Sequence, residues 1–98
     1  LIKYKGFQVA PAELEAILVA HPKIRDAAVI GKPDDEAGEV PIAFVVTTDP
    51  ALNETQIKDY MASTLAHYKK IHKVHFVDEI PKSASGKILR RLLRQQLT

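Results

Sequence analysis

The stretch Val40-Pro41-Ile42-Ala43-Phe44-Val45-Val46-Thr47 is the most strand-like part of the chain, because β-branched and aromatic side chains fill most of it. A second apolar run, Ala27-Ala28-Val29-Ile30, lies upstream within residues 24–30. That run shows no polar alternation and is too continuously apolar for an exposed sheet edge. We therefore predict two strands, at residues 24–30 and 40–47, and place the other elements around them.

The residues on the N-terminal side of these strands predict a hairpin and a helix. Residues 2–9 alternate polar and apolar side chains around Lys5-Gly6, which fits a short hairpin or a pair of extended segments. Pro11 and the acids that follow it favour a helix start, and His21-Pro22 ends that helix near residue 20. Between the two strands, residues 31–39 contain a proline, two glycines and four acids and are predicted to be a loop.

The residues on the C-terminal side predict two more helices and a strand. A helix should run from Glu54, with Asn53 as its N-cap, to Tyr68, because apolar side chains recur there every three or four residues. Residues 74–77 predict a strand, and residues 81–86 a Ser-rich turn. The last helix carries an apolar stripe and, on the opposite face, three arginines; the stripe is Ile88, Leu89, Leu92, Leu93 and Leu97, and the arginines are Arg90, Arg91 and Arg94.

The predicted order of elements is hairpin, α, β, β, α, β, α. Such an order favours the α+β class, with a small, mostly antiparallel sheet flanked by helices and preceded by the N-terminal hairpin. A chain of 98 residues with 46% hydrophobic and 27% charged residues is enough for one domain over residues 1–98 and too short for two.

Composition excludes several classes of protein. Cysteine is absent, so thiol catalysis and disulfide scaffolds are ruled out, and no apolar run reaches the roughly 18 residues that span a membrane. The absence of a signal peptide favours the cytoplasm. The chain opens on Leu1 and its only methionine is Met61, so we expect it to be a piece of a longer protein.

Charge is distributed unevenly although the net charge is only +2. Residues 26–59 hold eight acids and two bases, whereas residues 69–98 hold eight bases and two acids. The basic third is compatible with a solvated helix face or with an anion-facing role, and charge alone does not separate the two.

The turn Pro81-Lys82-Ser83-Ala84-Ser85-Gly86-Lys87 is the first candidate for chemistry. It looks like half of a phosphate-binding P-loop, but Pro81 stands where that loop has glycine and Ile88 where it has Ser or Thr. What remains is a lysine whose compact ammonium can neutralise a developing phosphate or carboxylate charge. The alternative is a helix start with Ser85 as N-cap and Lys87 as an ordinary exposed lysine, and spacing alone favours it.

Two further sets of residues are candidates for ligand sites. Lys3-Tyr4-Lys5-Gly6-Phe7 resembles the start of an RNA-recognition strand but departs from it at Gln8; Gly6 would still let a ligand approach closely. Neither the histidines nor the acids of residues 34–39 show the spacing of a metal site, so none is predicted.

Three separated segments together resemble one known family. In order and spacing they resemble the C-terminal domain of the acyl-adenylate-forming (AMP-binding) enzymes. The segments are residues 2–15 (Ile-Lys-Tyr-Lys-Gly-Phe-Gln-Val-Ala-Pro-Ala-Glu-Leu-Glu), residues 33–39 (Pro-Asp-Asp-Glu-Ala-Gly-Glu) and residues 81–87. This family includes acyl-CoA synthetases, and the first segment is similar to that of 4-coumarate–CoA ligases and beetle luciferases. The resemblance covers essentially all 98 residues.

The resemblance implies a two-step reaction in a longer enzyme. A carboxylic acid and ATP, with Mg²⁺, give an acyl-adenylate and pyrophosphate, and coenzyme A then displaces AMP. The larger N-terminal domain of such enzymes holds most of the acid and ATP site, and this C-terminal domain is a mobile lid. Without that domain the fragment is expected to be inactive and to hold no cofactor, and these residues do not separate CoA ligation from luciferase-type oxygenation or name the acid.

The same resemblance assigns roles to individual residues. Lys87 is implied as the lysine of the adenylation step and as a target for a lysine acetyltransferase. Lys3 and Gln8 are implied to lie on the face used for thioester formation, Gly6 to line the pantetheine channel, and Lys5 to help hold CoA. A small basic nucleic-acid-binding module or a protein-interaction module is the alternative, and the resemblance favours neither nucleic acid nor a membrane as partner.

Overall fold

The computed structural model describes residues 1–64 and 69–97. In chain order the elements are β1 (Ile2–Tyr4), β2 (Phe7–Val9), α1 (Pro11–Val19), β3 (Ile24–Asp34), β4 (Gly38–Thr47), α2 (Glu54–Ala62), β5 (Lys73–Phe76) and α3 (Arg90–Gln95). This is the predicted order, and the α+β class is confirmed. No helix in the described ranges is long and apolar enough to cross a membrane.

Strand β4 organises the sheet. It pairs antiparallel with β3 from Ile24 opposite Thr47 to Asp34 opposite Gly38. On its other side it pairs antiparallel with β1 at one end and parallel with β5 over Ile42–Val45. The strand order is therefore β2-β1-β4-β3, with β5 also against β4.

Both faces of the central strands are buried, which explains their continuous apolar sequence. One cluster, which includes Ala27, Val29 and Val45, packs with α1 and α2, and a second, which includes Ala28 and Ile30, packs with α3. Successive residues of a strand point to opposite faces, so an apolar run with no alternation suits a strand covered on both sides. Among the described residues, β3 has only β4 as a strand partner, yet its residues 27–30 are buried. The outer edge of β3 is therefore covered there, and the prediction that this run is not an exposed sheet edge is confirmed.

The prediction of a loop over residues 31–39 is wrong for most of that range. Strands β3 and β4 remain paired as far as Asp34 opposite Gly38, and only three residues, 35–37, turn the chain. Asp34 closes that turn, because its Oδ2 accepts hydrogen bonds from the backbone N–H groups of Glu36 (3.2 Å) and Ala37 (2.9 Å). Proline is tolerated in β3 because an edge strand needs no donor on its free side.

Helix α2 begins where the sequence predicts. Asn53 and Gln56 form a capping box, in which each side chain accepts a hydrogen bond from the other residue's backbone N–H. The helix ends at Ala62, earlier than predicted, and the Ser63 hydroxyl donates to the carbonyl of Tyr60 (2.8 Å), an alternative to continued helix. The last four residues of the predicted helix, 65–68, lie outside the described residues.

The last helix differs from prediction at its start. It begins at Arg90 with Leu89 at the N-cap, and Ser85 belongs to the preceding loop instead of capping a helix. Leu93 is fully buried in the second cluster, whereas Leu92 is 38% exposed. The placement of Arg90 on an outer face is also wrong, since its guanidinium is bound to α1 and β3.

Candidate functional site

The tight turn between β1 and β2 presents the first group of predicted site residues. Lys5 and Gly6 both have positive φ, 49° and 84°, as in a type I′ hairpin turn. The Lys5 backbone N–H donates to the carbonyl of Ala37 (2.7 Å), which holds the turn against the start of β4. Gly6 is exposed, and a Cβ built on it would meet no atom within 4 Å. The tip of the turn is therefore open to another molecule.

Lys3 and Gln8 are brought together by the hairpin. They are directly opposite each other in the β1–β2 pairing and are both exposed, while their neighbours Ile2 and Val9 are buried. The backbone N–H of Lys3 donates to Oε1 of Glu39 (2.9 Å), which ties β1 to β4. The hairpin thus presents one basic and one amide side chain on a fixed, solvent-facing surface.

A cationic cleft lies beside the hairpin. Tyr4, Lys58, Lys70 and His72 line a volume of about 380 Å³, and the rings of Tyr4 and His72 meet edge to face at 5.3 Å. Partial burial lowers the pKa of His72; the Asp34 charge opposes that shift, and Lys58, Lys70 and Lys5 add to it. The lowered pKa favours the neutral form of this imidazole, and the ammonium groups around it give the cleft the positive charge that suits an anionic ligand.

Lys87 lies at the end of a closed loop on the α3 side of the sheet. Lys82 and Ile88 form an isolated antiparallel bridge that closes the loop. Inside it, the N–H of Ser83 donates to the carbonyl of Lys87 (2.9 Å), and the N–H of Lys87 donates to the Ser83 hydroxyl (3.2 Å). Lys87 is exposed and opens onto a groove of about 440 Å³ that Arg90, Arg91 and Arg94 also line. The loop therefore presents an ammonium beside a groove that arginine and apolar side chains line.

Both ends of this loop are fixed to the sheet. Lys82 forms an ion pair with Asp26 of β3, with Nζ 2.7 Å from Oδ2. Arg90 binds both carboxylate oxygens of Glu15 in α1, at 2.9 and 2.8 Å, and its Nε donates to the carbonyl of Val29 (3.2 Å). The lysine is thus held between two anchored segments.

The structure places the predicted residues in two groups, and sequence reasoning missed some of their neighbours. Lys3, Lys5, Gly6 and Gln8 belong to the hairpin, whereas Lys87 belongs to the loop before α3. The residues missed were Glu15 and Arg90 at the loop, and Tyr4, Lys58, Lys70 and His72 at the cleft. Only the excess of bases after residue 69 hinted at the cleft, and nothing in the sequence signalled that Arg90 turns inward.

Comparison with known proteins identifies the class to which this fold and these loops belong. Residues 13–87 match the family described as AMP-binding enzyme C-terminal domain. That range is most of the chain, so the chain belongs to this family.

Particular relatives lie among CoA ligases. The chain is 63% identical over 97 residues to a 4-coumarate–CoA ligase of Pinus taeda and 61% identical over 98 residues to 4-coumarate–CoA ligase-like 1 of Arabidopsis thaliana. In each case 99% of this chain and 18% of the relative are covered. A solved structure of a Mycobacterium tuberculosis fatty acyl CoA synthetase superposes with a TM-score of 0.89 at 41% identity, covering 97% of this chain and 19% of that one. The chain therefore spans about a fifth of the length of these relatives.

Proposed function

We propose that this chain is the C-terminal lid of an ATP-dependent carboxylic acid–CoA ligase. The observation that carries the proposal is the exposed Lys87 on a closed loop, in a chain similar over nearly its whole length to 4-coumarate–CoA ligases. The N-terminal part of such an enzyme would supply the pocket for the acid and most of the ATP site. The partners of this domain are then that N-terminal domain, the acid, ATP with Mg²⁺, and CoA.

Lys87 would act in the first half-reaction. A carboxylate oxygen of the acid attacks the α-phosphorus of ATP, and the bond from that phosphorus to the pyrophosphate oxygen breaks. Two anions must approach each other in this step, so a positive charge placed between them lowers the repulsion and stabilises the charge of the transition state. A primary ammonium suits this role because it is compact and offers three donors.

The hairpin would act in the second half-reaction. The CoA sulfur attacks the acyl carbon of the adenylate, the carbon–oxygen bond to AMP breaks, and the thiol proton is lost to solvent or to a base. Lys3 and Gln8 lie side by side and exposed, as a surface that lines a thiol channel requires. Gly6 adds no side chain at the tip of the turn, where the pantetheine arm would pass.

The cleft beside the hairpin would receive the other end of CoA. Its nucleotide carries phosphates, and Lys5, Lys58 and Lys70 place ammonium groups around Tyr4 and His72. Phosphate oxygens are attracted by such a cluster, and lysine binds them as a point charge. Lys5 therefore contributes to CoA binding together with residues from α2 and from the segment before β5.

Because the adenylation lysine and the thiol-step hairpin are separate parts of this domain, it would act as a lid that presents one and then the other to the N-terminal domain. Lys87 is also accessible to a lysine acetyltransferase, and acetylation would remove the charge that the first step needs.

The test is the substitution Lys87→Ala in the full-length enzyme, with Lys32→Ala, an exposed lysine of β3, as the matched control. We expect adenylation, followed as pyrophosphate release, to slow by about a hundredfold or more. Thioester formation from preformed acyl-adenylate should be largely unchanged, and the control should resemble the wild type in both assays. Equal loss in both half-reactions would show that Lys87 does not have the assigned role.

A further inference from the structure

The free edge of β3 is closed by two side chains from different layers of the fold. Val29 is fully buried, so its backbone N–H and carbonyl need partners other than water. Its N–H donates to Oε2 of Glu15 (2.8 Å), and its carbonyl accepts from Nε of Arg90 (3.2 Å). Leaving such a buried group without a hydrogen-bond partner destabilises the folded state, so this position of Arg90 is strongly favoured.

The geometry of this contact requires a guanidinium. One terminal nitrogen of Arg90 donates to both oxygens of Glu15 while Nε reaches Val29, so one planar group serves three acceptors. The side chains of Arg90 and Glu15 are only 28% and 13% exposed, so solvent screens this ion pair less than one at the surface. A lysine would keep the charge but could not place donors in the same fixed fork.

The contact lies close to the Lys87 loop and links both faces of the sheet. Arg90 begins α3, which packs on one face, whereas Glu15 belongs to α1, which packs on the other. One residue before Arg90, the N–H of Leu89 donates to the carbonyl of Pro81 (2.9 Å), so the segment that leaves the loop is also bound to the segment that enters it. A shift of Arg90 would therefore move the C-terminal end of the loop that carries Lys87.

We propose that Arg90 is a positioning residue for Lys87: it fixes the lysine loop to the edge of β3 through Glu15 and Val29. Like the role of Lys87 itself, this inference rests on the proposed function. Arg90 touches no substrate in this scheme and acts through the backbone of the loop. Misplacing a catalytic group by about 1 Å can cost a hundredfold in rate, so the effect should be large although no reacting group is removed.

The experiment compares Arg90→Lys with Arg25→Lys in the full-length enzyme. The two substitutions are chemically identical, but Arg25 is exposed and does not line the groove beside Lys87. We expect Arg90→Lys to lower kcat for pyrophosphate release by about 10- to 100-fold, with little change in KM for ATP. Thioester formation from preformed adenylate should stay within about twofold of wild type, because the hairpin is untouched. Arg25→Lys should match the wild type in both assays.

Glu15→Gln provides a second approach to the same contact. It weakens the ion pair with little change of shape, so it should reduce pyrophosphate release selectively, as Arg90→Lys does. The melting temperature of each variant is measured in parallel. A loss shared equally by both half-reactions and proportional to the fall in melting temperature would show that the contact only stabilises the fold, and wild-type adenylation in Arg90→Lys would also overturn the inference.

Lys87→Ala, assayed beside these variants, separates the two proposals. If it impairs adenylation selectively while Arg90→Lys does not, the positioning role fails and the proposed function stands. If Lys87→Ala leaves adenylation intact, the proposed function fails and the positioning role fails with it.

Discussion

At the scale of single residues, Gly6 has a structural reason to be glycine, and the proposed function adds a second one. Its φ of 84° is a conformation that most side chains disfavour, and this alone explains a glycine in the turn. The space around it is open, so within this domain a side chain would meet no obstacle. Any further effect of a side chain must therefore come from a bound molecule or from the N-terminal domain.

Asparagine separates these two reasons, because it tolerates positive φ better than other residues with a side chain. We predict that Gly6→Asn in the full-length enzyme keeps a near-wild-type melting temperature and normal pyrophosphate release but slows thioester formation. Gly86→Asn is the control, because Gly86 in the Lys87 loop has nearly the same φ, 87°. This variant should not slow the thiol step. Normal thioester formation in Gly6→Asn would contradict the pantetheine-channel assignment.

The sequence predicted the positions of some candidate residues better than others, for a physical reason. The alternation around Lys5-Gly6 predicted a short hairpin, and in the structure its two-residue turn fixes the register so that Lys3 lies opposite Gln8. Arg90 was misplaced because helical periodicity was extended back through residues 88 and 89, which are not helical. The partners of Arg90 are Glu15 and Val29, which lie 75 and 61 residues away along the chain. The local sequence pattern carries no information about contacts at that distance.

At the scale of elements, Glu54 joins the start of α2 to β5. Its Oε2 accepts from the backbone N–H of Val74 (2.7 Å), and its Oε1 lies 3.4 Å from Nζ of Lys73. The hydrogen bond from Val74 lowers the pKa of this carboxyl, and Lys58 and Lys73 lower it further against the effect of burial. The folded protein thus binds this proton less readily than the unfolded chain does.

A lowered carboxylate pKa has a definite effect on stability. The contribution of Glu54 is fully present above the pKa of the unfolded chain and is lost as pH falls through the lower pKa of the folded state. We predict that Glu54→Gln is less stable than wild type near neutral pH and that this difference shrinks in acid. Urea unfolding of the 98-residue chain at several pH values measures it. Asp59→Asn, on the same helix, is the control for loss of one negative charge, and an identical acid profile in that variant would refute the role of the Val74 contact.

Element types were predictable, and most element ends were not. In the part of the chain that the structure describes, apolar spacing predicted the three helices, and apolar runs or alternation predicted the strands, because burial of apolar side chains dominates their formation. The ends depended on features that composition does not show. Residues 31–39 look like a loop by their proline, glycines and acids, yet pairing with β4 keeps residues 31–34 extended. Likewise α2 ends at Ala62, because the hydroxyls of Ser63 and Thr64 donate hydrogen bonds to backbone carbonyls of the last helical turn.

At the scale of the whole molecule, the two packed faces share the same two strands. Residues 27 and 29 face α1 and α2, and residues 28 and 30 face α3, so neither cluster can be lost without exposing one side of β3. Leu93 is the one residue of α3 that is fully buried, and six residues are too few to form a stable helix alone. The position of α3, and with it Arg90 at its start, therefore depends strongly on Leu93.

We predict that Leu93→Ala lowers the free energy of unfolding by about 2–5 kcal/mol, the usual cost of removing a buried leucine side chain. The adjacent Leu92→Ala should cost about 1 kcal/mol or less, because that side chain is 38% exposed. Urea unfolding measures both. If the domain unfolds as one unit, Leu93→Ala moves the midpoint and leaves the slope of the transition unchanged. A small cost with a reduced slope would mean instead that α3 detaches before the sheet unfolds. The Lys87 loop would then lose its anchor at Arg90 and keep the ion pair of Lys82 with Asp26 at its other end.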